Sequence, residues 1–190
     1  MNLNAAFSVR CTGIYNNNVE LFKDDLYKQV GKTVNGVAVN EQQLEITTEN
    51  VVTQLQLTQE DTVIDLCCGN GLITRRVAKS VKKIIGVDFS ERLIEIAKDA
   101  SHAVNIDYRV ENVAALDDKI LPPGSKCYMY DALAFFSASM VAQVLVQLGA
   151  SGIEKVMIGC VPDQEKLWTY YNTDEKNFFI NDVSKKIARI

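Results

Sequence analysis

The chain has 190 residues with a formal net charge of −4; 47% are apolar and 23% charged, which suits one globular domain with a sizeable core. The acidic balance argues against general attraction to nucleic acid or an anionic membrane, although a local basic patch is compatible with it. No apolar stretch approaches the ~20 residues that span a bilayer, and Met1 to Arg10 lacks the charged start and apolar core of a signal peptide, so a cytoplasmic protein without membrane contact is expected.

Positions 1–39 precede the regular pattern and read as a segment of their own. Gly31-Lys32-Thr33 looks like the end of a P-loop, but the upstream glycine position holds Leu26 and no strand precedes it. Asn35-Gly36 marks a turn. Asn40 followed by Gln43 resembles a capping box, and Leu44, Val51, Val52 and Leu55 continue a helix to about Leu57. Alternation then begins. Strand 62–66 leads to helix 70–80, and strand 83–88 to helix 90–100. Strand 105–110 follows, then strand 126–131 with helix 138–148, and strand 154–161 with a helix from about 163. Near-continuous apolar strands alternating with helices predict an α/β fold: a doubly wound, Rossmann-like, mostly parallel sheet with helices on both faces. Ligand is then expected at the carboxyl ends of the strands. The five cysteines, Cys11, Cys67, Cys68, Cys127 and Cys160, form no CxxC pair and no zinc-ligand spacing. Buried free thiols in a reducing compartment, and no metal, are expected.

The stretch Val63-Ile64-Asp65-Leu66-Cys67-Cys68-Gly69-Asn70-Gly71 carries the chemistry. A glycine turn between strand and helix lets backbone and ligand approach closely. An acid beside such a turn repels a pyrophosphate and suits a cationic or hydroxyl-bearing ligand. Gly69 and Gly71 are followed by Thr74 rather than a third small residue, which also argues against a dinucleotide site. The second strand, Ile84-Ile85-Gly86-Val87-Asp88, ends in a carboxylate placed to hold ribose hydroxyls.

These residues resemble the class I S-adenosylmethionine-dependent methyltransferases, over about residues 40 to 165. The first motif is the stretch from Val63 to Gly71, with Cys67 where the family's first glycine usually stands. The second is Gly86-Val87-Asp88-Phe89-Ser90, and the third is Glu111-Asn112-Val113, where Asn112 replaces an acid. The resemblance implies S-adenosylmethionine as cofactor. Asp65, Cys67, Gly69, Asn70 and Gly71 would meet its methionine part, Asp88 its ribose, and Phe89, Asn112 and Val113 its adenine. Tyr130 and Asp131, ending strand four, would face the methyl donor.

The resemblance divides the chain into a lid or cap (1–39, with Tyr27, Lys28 and Gln29 as lid residues), a cofactor-binding domain (40–163) and a C-terminal helical segment (164–190). The family's antiparallel strands six and seven are expected to be missing, leaving the fifth strand's edge to be covered by the C-terminal helices or a second chain. The expected reaction is methyl transfer to an oxygen or nitrogen of a small molecule. Asp131, or Asp163 after Pro162, is the candidate base, with Tyr130 positioning the acceptor. Phe135-Phe136 could line an acceptor pocket, and the lone His102 sits toward the opposite end of the sheet. The alternatives are a non-catalytic binding or assembly module, or methylation of RNA or protein.

Overall fold

The computed structural model describes residues 17–34, 36–116 and 118–161. The described chain opens with helical residues 17–21 (α1), the single turn α2 (Leu26–Gln29) and the strands β1 (Thr33–Val34) and β2 (Val37–Ala38). The two strands pair antiparallel about the turn expected at 35–36. Helix α3 (Glu41–Leu55) follows with the predicted capping box: Asn40 Oδ1 accepts from Gln43 N, and Gln43 Oε1 accepts from Asn40 N, both at 2.9 Å.

The five apolar runs then form β3 (Thr62–Leu66), β4 (Lys83–Asp88), β5 (Ile106–Val110), β6 (Lys126–Tyr130) and β7 (Lys155–Gly159). They make one parallel sheet in the order β5-β4-β3-β6-β7. The strand order reverses beside β3, so the crevice between the carboxyl ends of β3, β4 and β6 is a topological switch point.

Strand alternation divides the core. Ile64, Leu66, Ile85, Val87, Cys127 and Met129 face Val144 and Leu148 of the helix Ala138–Ala150, while Val63, Ile84 and Tyr128 face Val51 and Leu55 of α3. The central strands are therefore buried on both sides, which explains why they read as continuous apolar runs.

Between the strands run α4 (Thr74–Val77), α5 (Glu91–Ala100) and α6 (Ala138–Ala150). Ser90 and Ser137 cap α5 and α6 by accepting from Leu93 N and Met140 N, each at 3.3 Å. The helix predicted over 70–80 is shorter than expected. Gly71 takes φ 78°, and regular helix spans only Thr74–Val77 before a 3-10 turn at Ala78–Ser80. Helices α3, α5 and α6 and strands β3 to β7 lie within one or two residues of their predicted ends.

Seven strands are described in all, so strands six and seven counted along the chain are present: β6 and β7 are the fourth and fifth members of the parallel sheet. The antiparallel pair expected to be missing, the C-terminal helical segment and Asp163 all fall on 162–190, outside the described residues. Among the described residues β7 stands at the sheet edge, with Val156 39% exposed. No described helix is long and apolar enough to cross a membrane.

The N-terminal segment is fastened to the glycine turn by buried amides. Asn70, fully buried, donates from Nδ2 to Leu26 O at 2.8 Å and to Gln29 Oε1 at 2.9 Å. Gln29 Nε2 donates in turn to the carbonyls of Phe22 and Lys23, each at 3.1 Å. Truncating Asn70 leaves those acceptors unpaired in a buried place. The Asn70→Ala variant is expected to lose about 2 kcal/mol of stability in denaturant unfolding and to speed amide exchange over residues 22–30. Unchanged exchange there would show that these amides do not hold the segment.

Candidate active site

After Leu66 the backbone turns sharply, with Cys67, Gly69 and Gly71 at φ 62°, 56° and 78°. Cys67, at the position where the family's first glycine usually stands, adopts the left-handed conformation that favours glycine, and its side chain packs against the apolar cluster around Leu66 and Val87. The two glycines serve different ends. A Cβ on Gly69 would meet only the side chain of Val30, at 3.0 Å, whereas one on Gly71 would lie 2.2 Å from the Tyr108 hydroxyl. Gly86 sits opposite Tyr108 in register, and a Cβ there would be 2.9 Å from the ring. Gly71 and Gly86 thus make room for one buried tyrosine, and Gly71 does not reach the ligand cavity.

That cavity, about 320 Å³, opens at the carboxyl ends of β3, β4 and β6. Of the residues singled out in the sequence, Asp65, Cys67, Gly69, Asn70, Asp88, Phe89, Asn112, Val113, Tyr130 and Asp131 all line it, as do Phe135 and Phe136. Tyr27, Lys28, Gln29 and His102 do not. Gln29 instead braces Asn70 from behind, and Tyr27 bonds through its hydroxyl to Glu41.

Two buried carboxylates shape the cavity floor. Asp65 Oδ2 accepts from Thr74 Oγ1 and from the Tyr128 hydroxyl, both at 2.6 Å. Burial outweighs these bonds and, with the nearby Asp88 charge, raises the Asp65 pKa to about 7. Asp88 Oδ2 accepts from Gly69 N at 3.0 Å, and Oδ1 from Ser90 N at 2.9 Å. Burial raises its pKa too, against the pull of those backbone N–H groups. Each Asp88 oxygen keeps a lone pair for a ligand hydroxyl. Asn70 Oδ1 is buried without a hydrogen-bond partner among the described residues, and the two bonds donated by Nδ2 fix its orientation. On the far wall Asn112 Oδ1 accepts from Ala114 N at 3.0 Å, capping a 3-10 turn at Val113–Ala115. Gln143 Nε2 of α6 holds that turn by donating to Ala114 O at 2.7 Å.

The mouth holds a residue that sequence reasoning passed over. Lys32 Nζ lies 2.7 Å from Asp131 Oδ2 and 5.1 Å from the Tyr130 ring centroid. Asp131 has left the strand, at φ 59°, with its N–H donating to Gly159 O at 3.1 Å. The only signal at Lys32 was a P-loop-like tripeptide that pointed elsewhere, and a contact across 99 positions has no local signature. Val30, Leu72, Leu93 and Met140 also line the cavity, with no sequence signal marking them as site residues.

Residues 63–148 match the family profile described as a methyltransferase domain. That stretch is a methyltransferase domain. It is 27% identical over 112 residues to the ribosomal RNA small subunit methyltransferase A of Ligilactobacillus salivarius, covering 56% of this chain and 37% of that one. It is 35% identical over 75 residues to the 2-phytyl-1,4-naphtoquinone methyltransferase of a Nostoc species, covering 38% of this chain and 31% of that one. The matches span between 26% and 37% of the first such relatives' own lengths. Among solved structures, an S-adenosylmethionine-dependent methyltransferase from Clostridium acetobutylicum superposes with a TM-score of 0.57 at 14% identity, covering 83% of this chain and 61% of that one. That likeness concerns the fold.

The cavity of this methyltransferase domain fits S-adenosylmethionine on three observations. Its volume lies within the range of about 300–1,000 Å³ usual for small-molecule sites. Its floor offers acceptors, Asp65, Asp88 and the unpaired Asn70 Oδ1, to a ligand rich in cationic and hydroxyl donors. Its wall offers Phe89, Leu93 and Val113 to a flat purine.

The domain's stability should respond to both features of the turn. Gly71→Ala combines a strained backbone with a clash and is expected to cost about 3 kcal/mol, against about 1 kcal/mol for Gly69→Ala, measured by denaturant unfolding. Equal costs would contradict the division of roles. A raised carboxyl pKa means that the folded state holds the Asp65 proton longer than the unfolded chain, so this group's contribution to stability falls as pH rises from about 4 to 7. The melting temperature of Asp65→Asn relative to the natural protein should therefore climb across that window and level off above it. A flat difference would remove the raised pKa.

Proposed function

We propose that the protein is an enzyme that transfers a methyl group from S-adenosylmethionine to an oxygen or nitrogen of a small molecule with an apolar body. The observation that carries this reading is the charge of the cavity. Its described lining has three carboxylates, Asp65, Asp88 and Asp131, and one cation, Lys32, which is already paired with Asp131. With Asp131 and Lys32 offsetting each other, Asp88 keeps the lining net negative even when Asp65 holds a proton, which attracts a cationic donor and repels a phosphate-rich acceptor. Phe135, Phe136 and Met140 line the same cavity and offer apolar surface to the acceptor. One of the relatives named above carries a quinone-type substrate in its name and the other a ribosomal RNA, so the acidic lining is what favours the small molecule.

The bound cofactor supplies a methyl group on a positively charged sulfur, an already activated leaving group. The chain's part is to bind, orient and exclude water. Asp88 holds the ribose hydroxyls through its remaining lone pairs. Phe89, Val113 and Asn112 receive the adenine, with the Asn112 amide N–H groups and a second carbonyl lone pair left for its edge. Asp65, Cys67, Gly69 and Asn70 surround the amino-acid end. Gly71 contributes through Tyr108 packing. Tyr130 orients the acceptor, and Asp131 takes its proton where the acceptor is a hydroxyl. The segment 1–39 acts as the cap, with Lys32 closing over the mouth, and 40–163 is the cofactor domain.

Calorimetry with S-adenosylmethionine and S-adenosylhomocysteine is expected to show binding in the micromolar range and a loss of at least about tenfold in Asp88→Ala. Absence of binding to the natural protein would overturn the enzyme reading. Radiolabelled methyl transfer to phenols and aromatic amines, with none to ribosomal RNA or protein, is expected. The reverse preference would favour the macromolecular alternative, and binding without any turnover a non-catalytic module.

A further inference from the structure

The cavity floor holds two buried carboxylates on neighbouring strands. Asp65 ends 3% exposed and Asp88 5% exposed, and neither has an ion-pair partner among the described residues. Two unpaired charges in so dry a place are costly, and the cheaper arrangement keeps one of them neutral. The backbone decides which one. Asp88 receives Gly69 N–H on one oxygen and Ser90 N–H on the other, which favours its ionised form. Asp65 receives hydroxyl bonds from Thr74 and Tyr128 on Oδ2 alone. These hydroxyls can turn, and accept as well as donate, so a protonated Asp65 is tolerated where a protonated Asp88 would lose a backbone bond.

We propose that Asp65 carries a proton in the ligand-free protein and releases it to solvent when the ammonium of the cofactor's amino-acid end enters the cavity. The carboxyl O–H bond breaks, the proton passes to buffer, and the carboxylate left behind pairs with the arriving cation. The inference rests on the methyl-donor reading of the site. The other groups facing Asp65 do not supply the missing charge. Tyr128 and Cys127 on β6, Tyr108 on β5 and Cys68 in the turn are all held neutral by burial, and the Lys32 ammonium is bonded to Asp131. The raised Asp65 pKa agrees with this geometry.

The test is calorimetric titration of the whole chain with S-adenosylmethionine in phosphate and in imidazole, buffers of very different ionisation enthalpy, from about pH 6 to 8. The difference in apparent enthalpy counts the protons exchanged. Net release is expected to be close to ~1 proton per ligand at pH 6 and ~0.5 or less at pH 7, turning to net uptake by pH 8, where Asp65 is already ionised and the ligand's own amine, which titrates at ~8, must gain a proton to pair with it; affinity should rise up to about tenfold per pH unit below neutrality. Asp65→Asn should bind more weakly and release no proton over this range. Tyr128→Phe removes a donor to the ionised form, so its release should persist to higher pH, which keeps the test usable if Asp65→Asn folds poorly. Binding with no buffer dependence, or release undiminished in Asp65→Asn, would overturn the inference while leaving the methyl-donor reading intact. No binding of S-adenosylmethionine or S-adenosylhomocysteine at any pH would overturn both.

Discussion

The hydrogen bond from Gly69 N to the Asp88 carboxylate ties the turn after β3 to the end of β4, and the geometry of the site follows from it. The bond fixes the glycine turn against its neighbouring strand at the switch point, where the sheet opens a crevice. It also anchors a carboxylate whose remaining lone pairs point to ligand chemistry rather than to solvent. Burial of that charge would be unfavourable alone, and the N–H groups of Gly69 and Ser90 offset it. Asp65, one strand away, lacks such backbone support. Two acids of the same type, both lining one cavity, are therefore placed to behave differently.

Around this point the fold uses small residues to seat large ones. Gly86 and Gly71 give Tyr108 its place, and Gly159 does the same for Tyr130, where a Cβ would stand 2.4 Å from the ring. Tyr130 and Asp131 end β6 at the cavity mouth, and the departure of Asp131 from the strand turns the chain into the wall formed by Phe135 and Phe136. The N-terminal segment closes the assembly from the other side. It grips the glycine turn through Gln29 and Asn70 and reaches the end of β6 through Lys32. The glycine turn and the cavity mouth are thus bridged by the one stretch from Leu26 to Lys32.

Much of this was legible in the sequence because the signals are local. Strands β3 and β4 lie at their predicted positions, since a continuous apolar run flanked by glycine and an acid leaves little choice of period or boundary. The caps at Asn40, Ser90 and Ser137 obey nearest-neighbour rules. Most of the candidate site followed, because strand-end residues of a parallel sheet converge at one edge whatever lies between them. The helix after Gly71 was overextended because apolar periodicity continues through a region where the backbone is still turning. A glycine's reason for being in a turn depends on which side chain passes over it, and the order of residues does not show that Tyr108 lies over Gly71.

The sequence by itself determined the α/β alternation, the parallel sheet and the placement of Asp65, Asp88 and Tyr130 at its active edge, because those features follow from short-range pattern and strand direction. Only the tertiary structure decided that Asn70 binds the N-terminal segment, that Lys32 meets Asp131, and that Asp65 has no ion-pair partner among the described residues while Asp88 is held by backbone amides. Those facts depend on contacts between residues tens of positions apart and on how thoroughly folding removes water from each carboxylate, and neither quantity is written in the order of residues along the chain.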